Sequence, residues 1–141
     1  MAVRVRVAAI VMEGERVLLV STKRGAPGFL VPPGGGLHEN ETVPQAAARE
    51  VAEEAGLAVE AGRLVAYREL WHEAKRTLEL YVSARLVPGQ GTDPSTEGRA
   101  VTWVPCQELA AVPHFPEQLA QLCELAQQPG FGAVHLGRAD I

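Results

Sequence analysis

Hydrophobic and polar positions alternate from the start of the chain. Val3, Val5 and Val7 stand between Arg4 and Arg6, the period of a strand with one wet face. The run continues to Met12, Glu13-Gly14-Glu15 supplies a turn, and RVLLVST from Arg16 reads as a second strand, so the pair predicts a hairpin. Glycines and a proline mark Lys23 to Gly28 as a loop, followed by a short apolar FLV before PPGGG. From Thr42 the period becomes helical. Pro44, Ala47, Ala48, Val51, Ala52 and Ala55 form one apolar stripe, and its small alanines predict close packing on a neighbouring layer. Thr42 and Gln45 match a capping box, Pro44 lies in the first turn where a missing N–H does no harm, and Gly56 stands at the expected left-handed C-cap. LAVEAGRLVAYREL, TLELYVSARLV and AVTWVP then read as strands, with a polar loop from Pro88 to Gly98. After Pro105, QELAAV and EQLAQLCELAQQ read as helical, the latter with Leu119, Leu122 and Leu125 on its apolar face. The tail from Pro129 to Ile141 carries no pattern that decides its structure. Strands, helix, strands, helix is the order of an α+β chain, or of a mixed sheet with helices on both faces, and residues 1–141 are expected to form one domain.

Composition narrows the class. The chain is 47% hydrophobic and 21% charged over 141 residues, a globular balance with enough length for its own core. A net charge of −4 excludes broad nucleic-acid coating, though not a small phosphorylated ligand held by local cations. Cys106 and Cys123 lie outside any zinc or CxxC spacing and are expected to be free thiols. The opening MAVRVRVAAIVMEGE lacks the apolar core and cleavage site of a secretory signal, and VAAIVM is too short to cross a bilayer; the expectation is a cytoplasmic protein away from membranes.

The helix also carries acid. Glu50, Glu53 and Glu54 recur at spacings of three and four, where like charges cost an isolated helix about 0.2–0.5 kcal/mol per pair. A solvated acidic face, balanced in part by Arg49, is one reading, with the acids pointing well away from the apolar stripe. The other is a metal site, because carboxylate oxygens are the hard ligands that Mg²⁺ and Mn²⁺ prefer. The triple glycine before the helix favours the second: glycine lets backbone approach closely and exposes its carbonyls and amides.

Gly35 through Leu57 reads GGLHENETVPQAAAREVAEEAGL. It resembles the box of the Nudix, or MutT-like, hydrolase family: Gly, five residues, Glu, seven residues, then Arg-Glu-aliphatic-any-Glu-Glu-any-Gly-aliphatic. Gly35, Glu41, Arg49, Glu50, Val51, Glu53, Glu54, Gly56 and Leu57 fill every defined position. The resemblance implies an α/β/α sandwich around a mixed sheet. It also implies a pyrophosphohydrolase that uses Mg²⁺ or Mn²⁺ to cleave the diphosphate linkage of a nucleoside diphosphate joined to another group. Carried over by position, Glu50, Glu53 and Glu54 would bind metal, with one of them a candidate to deprotonate water. Arg49 would orient the box carboxylates, Glu41 would support the loop, and the Gly34 carbonyl would add a ligand. Glu97, ahead of the strand bearing Trp103, matches the further acid of MutT-type members; a plain loop charge is the alternative.

Substrate contacts are less defined. Gly35 and the cations Lys23 and Arg24, near the glycine turn, are candidates for phosphate, while Arg4 and Arg6 read as ordinary surface charge. Phe29, Trp71, Tyr81 and Phe115 are candidates to stack on a nucleobase, against a core role for each. His38 reads as a solvent-facing loop residue. Phe29 stands where many relatives carry tryptophan. The downstream motif of NADH-type members is missing, as are the proline of ADP-ribose-type members and, at Ala74 and Lys75, the tyrosine of dinucleoside-polyphosphate members. These departures lean towards nucleoside triphosphates or related nucleotides. A non-catalytic nucleotide-sensing or interaction module on the same fold is the competing reading, although such modules typically lose box glutamates. Monomer and homodimer both fit the sequence.

Overall fold

Val7 to Val11 of the first strand, β1 (Val3–Glu13), are at most 3% exposed on both faces. A sheet buried on both sides needs a layer over each, and this chain supplies two helices, α1 (Val43–Ala55) and α2 (Leu119–Gln127). The computed structural model describes residues 2–24, 26–89, 98–130 and 132–141, without the side chains of 23–27. Val7, Ala9, Val11, Leu18 and Val20 pack beneath Ala46, Ala47, Val51 and Ala55 of α1. Ala8, Ile10, Val17, Leu19 and Tyr81 pack beneath Leu119, Leu122 and Cys123 of α2. Fully burying a Val, Leu or Ile side chain stabilises by roughly 1.5–3 kcal/mol, so the alternation along β1 drives both layers.

The other strands are β2 (Arg16–Arg24), β3 (Ala26–Val31), β4 (Gly34–Gly36), β5 (Val59–His72), β6 (Lys75–Leu86), β7 (Arg99–Pro105) and β8 (Val134–Asp140). The main path through the sheet is β3-β2-β1-β6-β5-β8, with β4 on β1 and β7 on β2. Pairing of β1 with β6 and of β5 with β8 is parallel; the rest is antiparallel. The predicted hairpin forms, but β1 and β2 pair only at Met12↔Val17 and Glu13↔Arg16. The two strands then diverge, and β4 takes the exposed edge of β1 through Arg6↔Gly36, Val7↔Gly35 and Ala8↔Gly34. Both caps of α1 are as expected: the capping box is reciprocal, and Gly56 is left-handed with φ 69°.

One expectation is corrected. Of the predicted loop Lys23 to Gly28, Lys23 and Arg24 belong to β2 and Ala26 to Gly28 belong to β3, with Lys23 paired to Ala26; Gly25 lies outside the described residues. Pro27 is tolerated there because β3 is an edge strand. The tail forms β8, whose residues are partly exposed at the sheet edge and so show little hydrophobic period. QELAA of the predicted helical piece lies in a 3-10 helix, Cys106–Ala111, with Val112 as its C-cap. The polar loop from Pro88 lies largely outside the described residues, Glu97 included. Cys106 and Cys123 are free, as expected. Among the described residues no helix is long and apolar enough to cross a membrane.

Candidate active site

Two of the three acids on α1 are buried. Glu50 is 7% exposed and Glu54 2%, so the expectation that the acids point well away from the packed stripe is wrong for two of the three. Helix geometry explains it: residues 47, 50, 51 and 54 share one side, and β4 lies against that side. Glu53 is the outward member, with 43% of its side chain exposed.

Glycine makes the close approach of β4 feasible. A Cβ at Gly34 would stand 2.7 Å from the Val7 carbonyl oxygen and 2.9 Å from Ala8 Cα. A Cβ at Gly35 would collide with the Glu50 carboxylate. The Gly34 amide donates to Glu54 Oε2 at 2.7 Å, and Arg99 Nε lies 3.3 Å from Glu54 Oε1. Burial nevertheless pushes the Glu54 carboxyl up to about 8; the Gly34 amide and Arg99 act against the rise, and the charge of Glu50 adds to it.

Arg49 organises the rest. Its Nε and Nη2 grip Glu41 at 3.0 and 2.8 Å, Nη2 also donates to the Gly36 carbonyl at 3.1 Å, and Nη1 donates to Glu50 at 2.8 Å and Glu53 at 3.2 Å. A guanidinium has five N–H donors in a fixed fork, and every one finds an acceptor here. Glu41 also accepts from the His38 amide at 2.8 Å, and His38 itself is exposed as expected. The Arg49 hydrogen bonds, followed by that amide, hold the Glu41 carboxyl down at about 2. A lowered acid stabilises the fold above its ordinary value of 4.5, and that contribution disappears as pH falls through about 2. The melting temperature of Glu41→Gln should therefore lie below that of the parent at pH 6, with the gap closing as pH falls towards 2. A gap that stayed constant across thermal melts over this range would exclude the ionic clamp.

These groups line a cleft of about 600 Å³ that also contains Arg4 and Arg99. Of the residues proposed from sequence, Arg49, Glu50, Glu53, Glu54, Gly34 and Gly35 meet there. Among the described residues no three His, Cys, Asp or Glu side chains converge as a ready-made metal cage. The donor set still suits a hard divalent cation: carboxylates crowd together, and one is buried at the cost of its ionisation. Glu97 and the side chains of Lys23 and Arg24 lie outside the description. Phe29 is not among the residues lining the cleft and packs on Phe115. Trp71 is taken up by Arg76 and Arg138, 3.6 and 3.7 Å from its ring centroid, so it is no free stacking surface. Arg4 and Arg6, read as surface charge, instead reach the glycine turn; Arg6 Nη2 donates to the Gly34 carbonyl at 3.2 Å. Only the pairing of β4 with β1 brings them there, and no local pattern announces a pairing between segments so far apart.

Solved structures share this architecture. A NUDIX hydrolase from Nitrosomonas europaea is 28% identical, with 88% of each chain covered and a TM-score of 0.72. The E. coli ORF135 protein is 26% identical over 89% of each chain, with a TM-score of 0.70. An ADP-ribose pyrophosphatase from Streptococcus suis is 24% identical over 94% of this chain and 98% of its own, with a TM-score of 0.73. The class to which these neighbours point is the NUDIX hydrolases. The family model described as NUDIX domain matches residues 2–124, and the chain belongs to the Nudix family.

Proposed function

We propose that the chain hydrolyses the diphosphate linkage of a nucleoside triphosphate or related nucleotide with the help of Mg²⁺ or Mn²⁺. The observation that carries this reading is the meeting of Glu50, Glu53 and Glu54 with Gly34, Gly35, Arg4 and Arg99 in one cleft. Carboxylates are suited to a divalent ion, and the two arginines to phosphate oxygens that the ion does not reach. Glu50, Glu53 and Glu54 would hold the metal, with the Gly34 carbonyl as a further oxygen. When bound, such an ion polarises phosphoryl oxygens and acidifies a coordinated water. Arg49 keeps the glutamates oriented, and Glu41 keeps Arg49 in place. Hydrolysis excludes a purely sensory module, and retention of all three box acids argues for hydrolysis.

The test is release of phosphate or pyrophosphate from a panel of nucleoside triphosphates, sugar nucleotides, ADP-ribose and dinucleoside polyphosphates. Mg²⁺-dependent turnover that EDTA abolishes is expected, with triphosphates among the substrates. Turnover unchanged by EDTA, or none with any member of the panel, would overturn the reading.

A further inference from the structure

Glu54 is the most deeply buried of the three cleft glutamates, and its two oxygens face different partners. Oε2 accepts from the Gly34 amide at 2.7 Å, a backbone group that stays in place as long as β4 is paired with β1. Oε1 faces Arg99 Nε at 3.3 Å. The Arg99 side chain is partly exposed and lines the cleft. A full cationic charge therefore stands against the one Glu54 oxygen that the backbone does not hold.

The fold anchors Arg99 from behind. The register of β2 against β7 shifts between Val20 and Arg24. Ser21 lies in that irregular stretch, is fully buried, and turns both its oxygens to β7. Its carbonyl accepts from Arg99 Nη1 at 2.9 Å, and its hydroxyl accepts from the Ala100 amide at 3.0 Å. Nη1 is thus tied to the sheet while Nε faces Glu54. With five donors in one plane, a guanidinium can give up one contact and keep another. Arg49 is different: it is closed on Glu41, Glu50, Glu53 and the Gly36 carbonyl together, and its release would undo the whole box.

We propose that Arg99 is a releasable counter-ion: it neutralises Glu54 until a divalent ion takes Oε1, and its freed edge then turns to the phosphate in the cleft. A buried carboxylate needs a counter-charge before the metal arrives, and a cation fixed immovably against it would bar the metal. An arginine anchored on Ser21 but free to leave Glu54 meets both needs. A metal ion and a guanidinium carry charge of one sign, so they compete for Oε1 instead of sharing it. The role rests on the metal and nucleotide reading above and adds an order of events to it, metal first and phosphate second.

The decisive measurement is calorimetry of Mn²⁺ binding, without nucleotide, to the parent, Arg99→Gln and Arg4→Gln at one pH and ionic strength. Arg99→Gln should bind Mn²⁺ about five- to a hundredfold more tightly, the span of coupling between two ligands that oppose each other. Losing Arg99 also favours a proton on Glu54, but a divalent ion gains twice as much as a proton from the lost repulsion, so the sign holds. Arg4→Gln takes the same charge from the cleft without touching Glu54, and solvent screening should keep its effect below about threefold. A residue that merely braced the cleft would weaken metal binding when removed, the opposite sign. NMR of the arginine Nε–H groups in the parent keeps the test independent of how Arg99→Gln folds. Mg²⁺ should broaden the Arg99 signal, and inorganic pyrophosphate added to the Mg²⁺-loaded protein should sharpen it again. Unchanged or weaker Mn²⁺ binding by a folded Arg99→Gln, an equal gain in Arg4→Gln, or an Arg99 signal that Mg²⁺ leaves unmoved would overturn the role. Tighter Mn²⁺ binding by Arg99→Gln in a protein that hydrolyses no nucleotide would sink the hydrolase reading and leave the counter-ion standing. Mg²⁺-dependent hydrolysis with Mn²⁺ affinity unmoved by Arg99→Gln would do the reverse.

Discussion

Glu53→Gln and Glu54→Gln should each lower Mg²⁺-dependent turnover about a hundredfold or more while the protein stays folded. Removing a metal ligand forfeits several kcal/mol of transition-state stabilisation, and each 1.36 kcal/mol is a factor of ten. Structural cost is low in both cases, for different reasons. Glu53 is the half-exposed member and accepts one of the five Arg49 hydrogen bonds. Glu54 is 2% exposed, but an amide oxygen can still accept from the Gly34 N–H, and a neutral amide is cheaper to bury than a carboxylate. Steady-state kinetics beside thermal melts check the pair. Activity near that of the parent in both variants would remove these acids from the metal site, whereas a large loss of melting temperature would mean that the acids serve the fold first.

Gly35→Ala is the second large effect, and its cause is steric. The new Cβ would overlap the Glu50 carboxylate, which is already held by Arg49 and cannot retreat without breaking that fork. Overpacking of this sort costs about 1–3 kcal/mol, and moving Glu50 should also lower turnover at least tenfold. Gly36→Ala is the matched control, since its Cβ would meet only the end of the Arg4 side chain, at 3.4 Å, which can swing aside. Urea unfolding and turnover of the two variants should therefore differ clearly. Similar behaviour would show that the glycine turn has slack which the packing against α1 does not suggest.

Much of this fold was readable because its signals are local. The caps of α1 depend on Thr42, Gln45 and Gly56, all within one segment, and period two marked β1, β2, β5, β6 and β7. What escaped depends on partners distant in sequence. The strand character of 26–28 comes from pairing with β2 at an edge, and β8 is recruited by β5, more than sixty positions earlier in the chain. The same limit applied to the site. The glutamates and Arg49 share one helix and could be seen together. Their burial could not, because it is imposed by β4 lying across them. Glu79 alternates with leucines in the sequence, yet it is buried, and two arginines from separate strands neutralise it.

Helix α1 is held at both ends by its own caps and along its length by Ala46, Ala47, Val51 and Ala55, with no acid in the first turn and no base in the last. Its scaffold therefore owes little to the glutamates that line the cleft. Over evolutionary time a descendant could shed those acids one by one and still inherit the same rigid frame, which leaves this architecture open to drift from chemistry towards mere recognition.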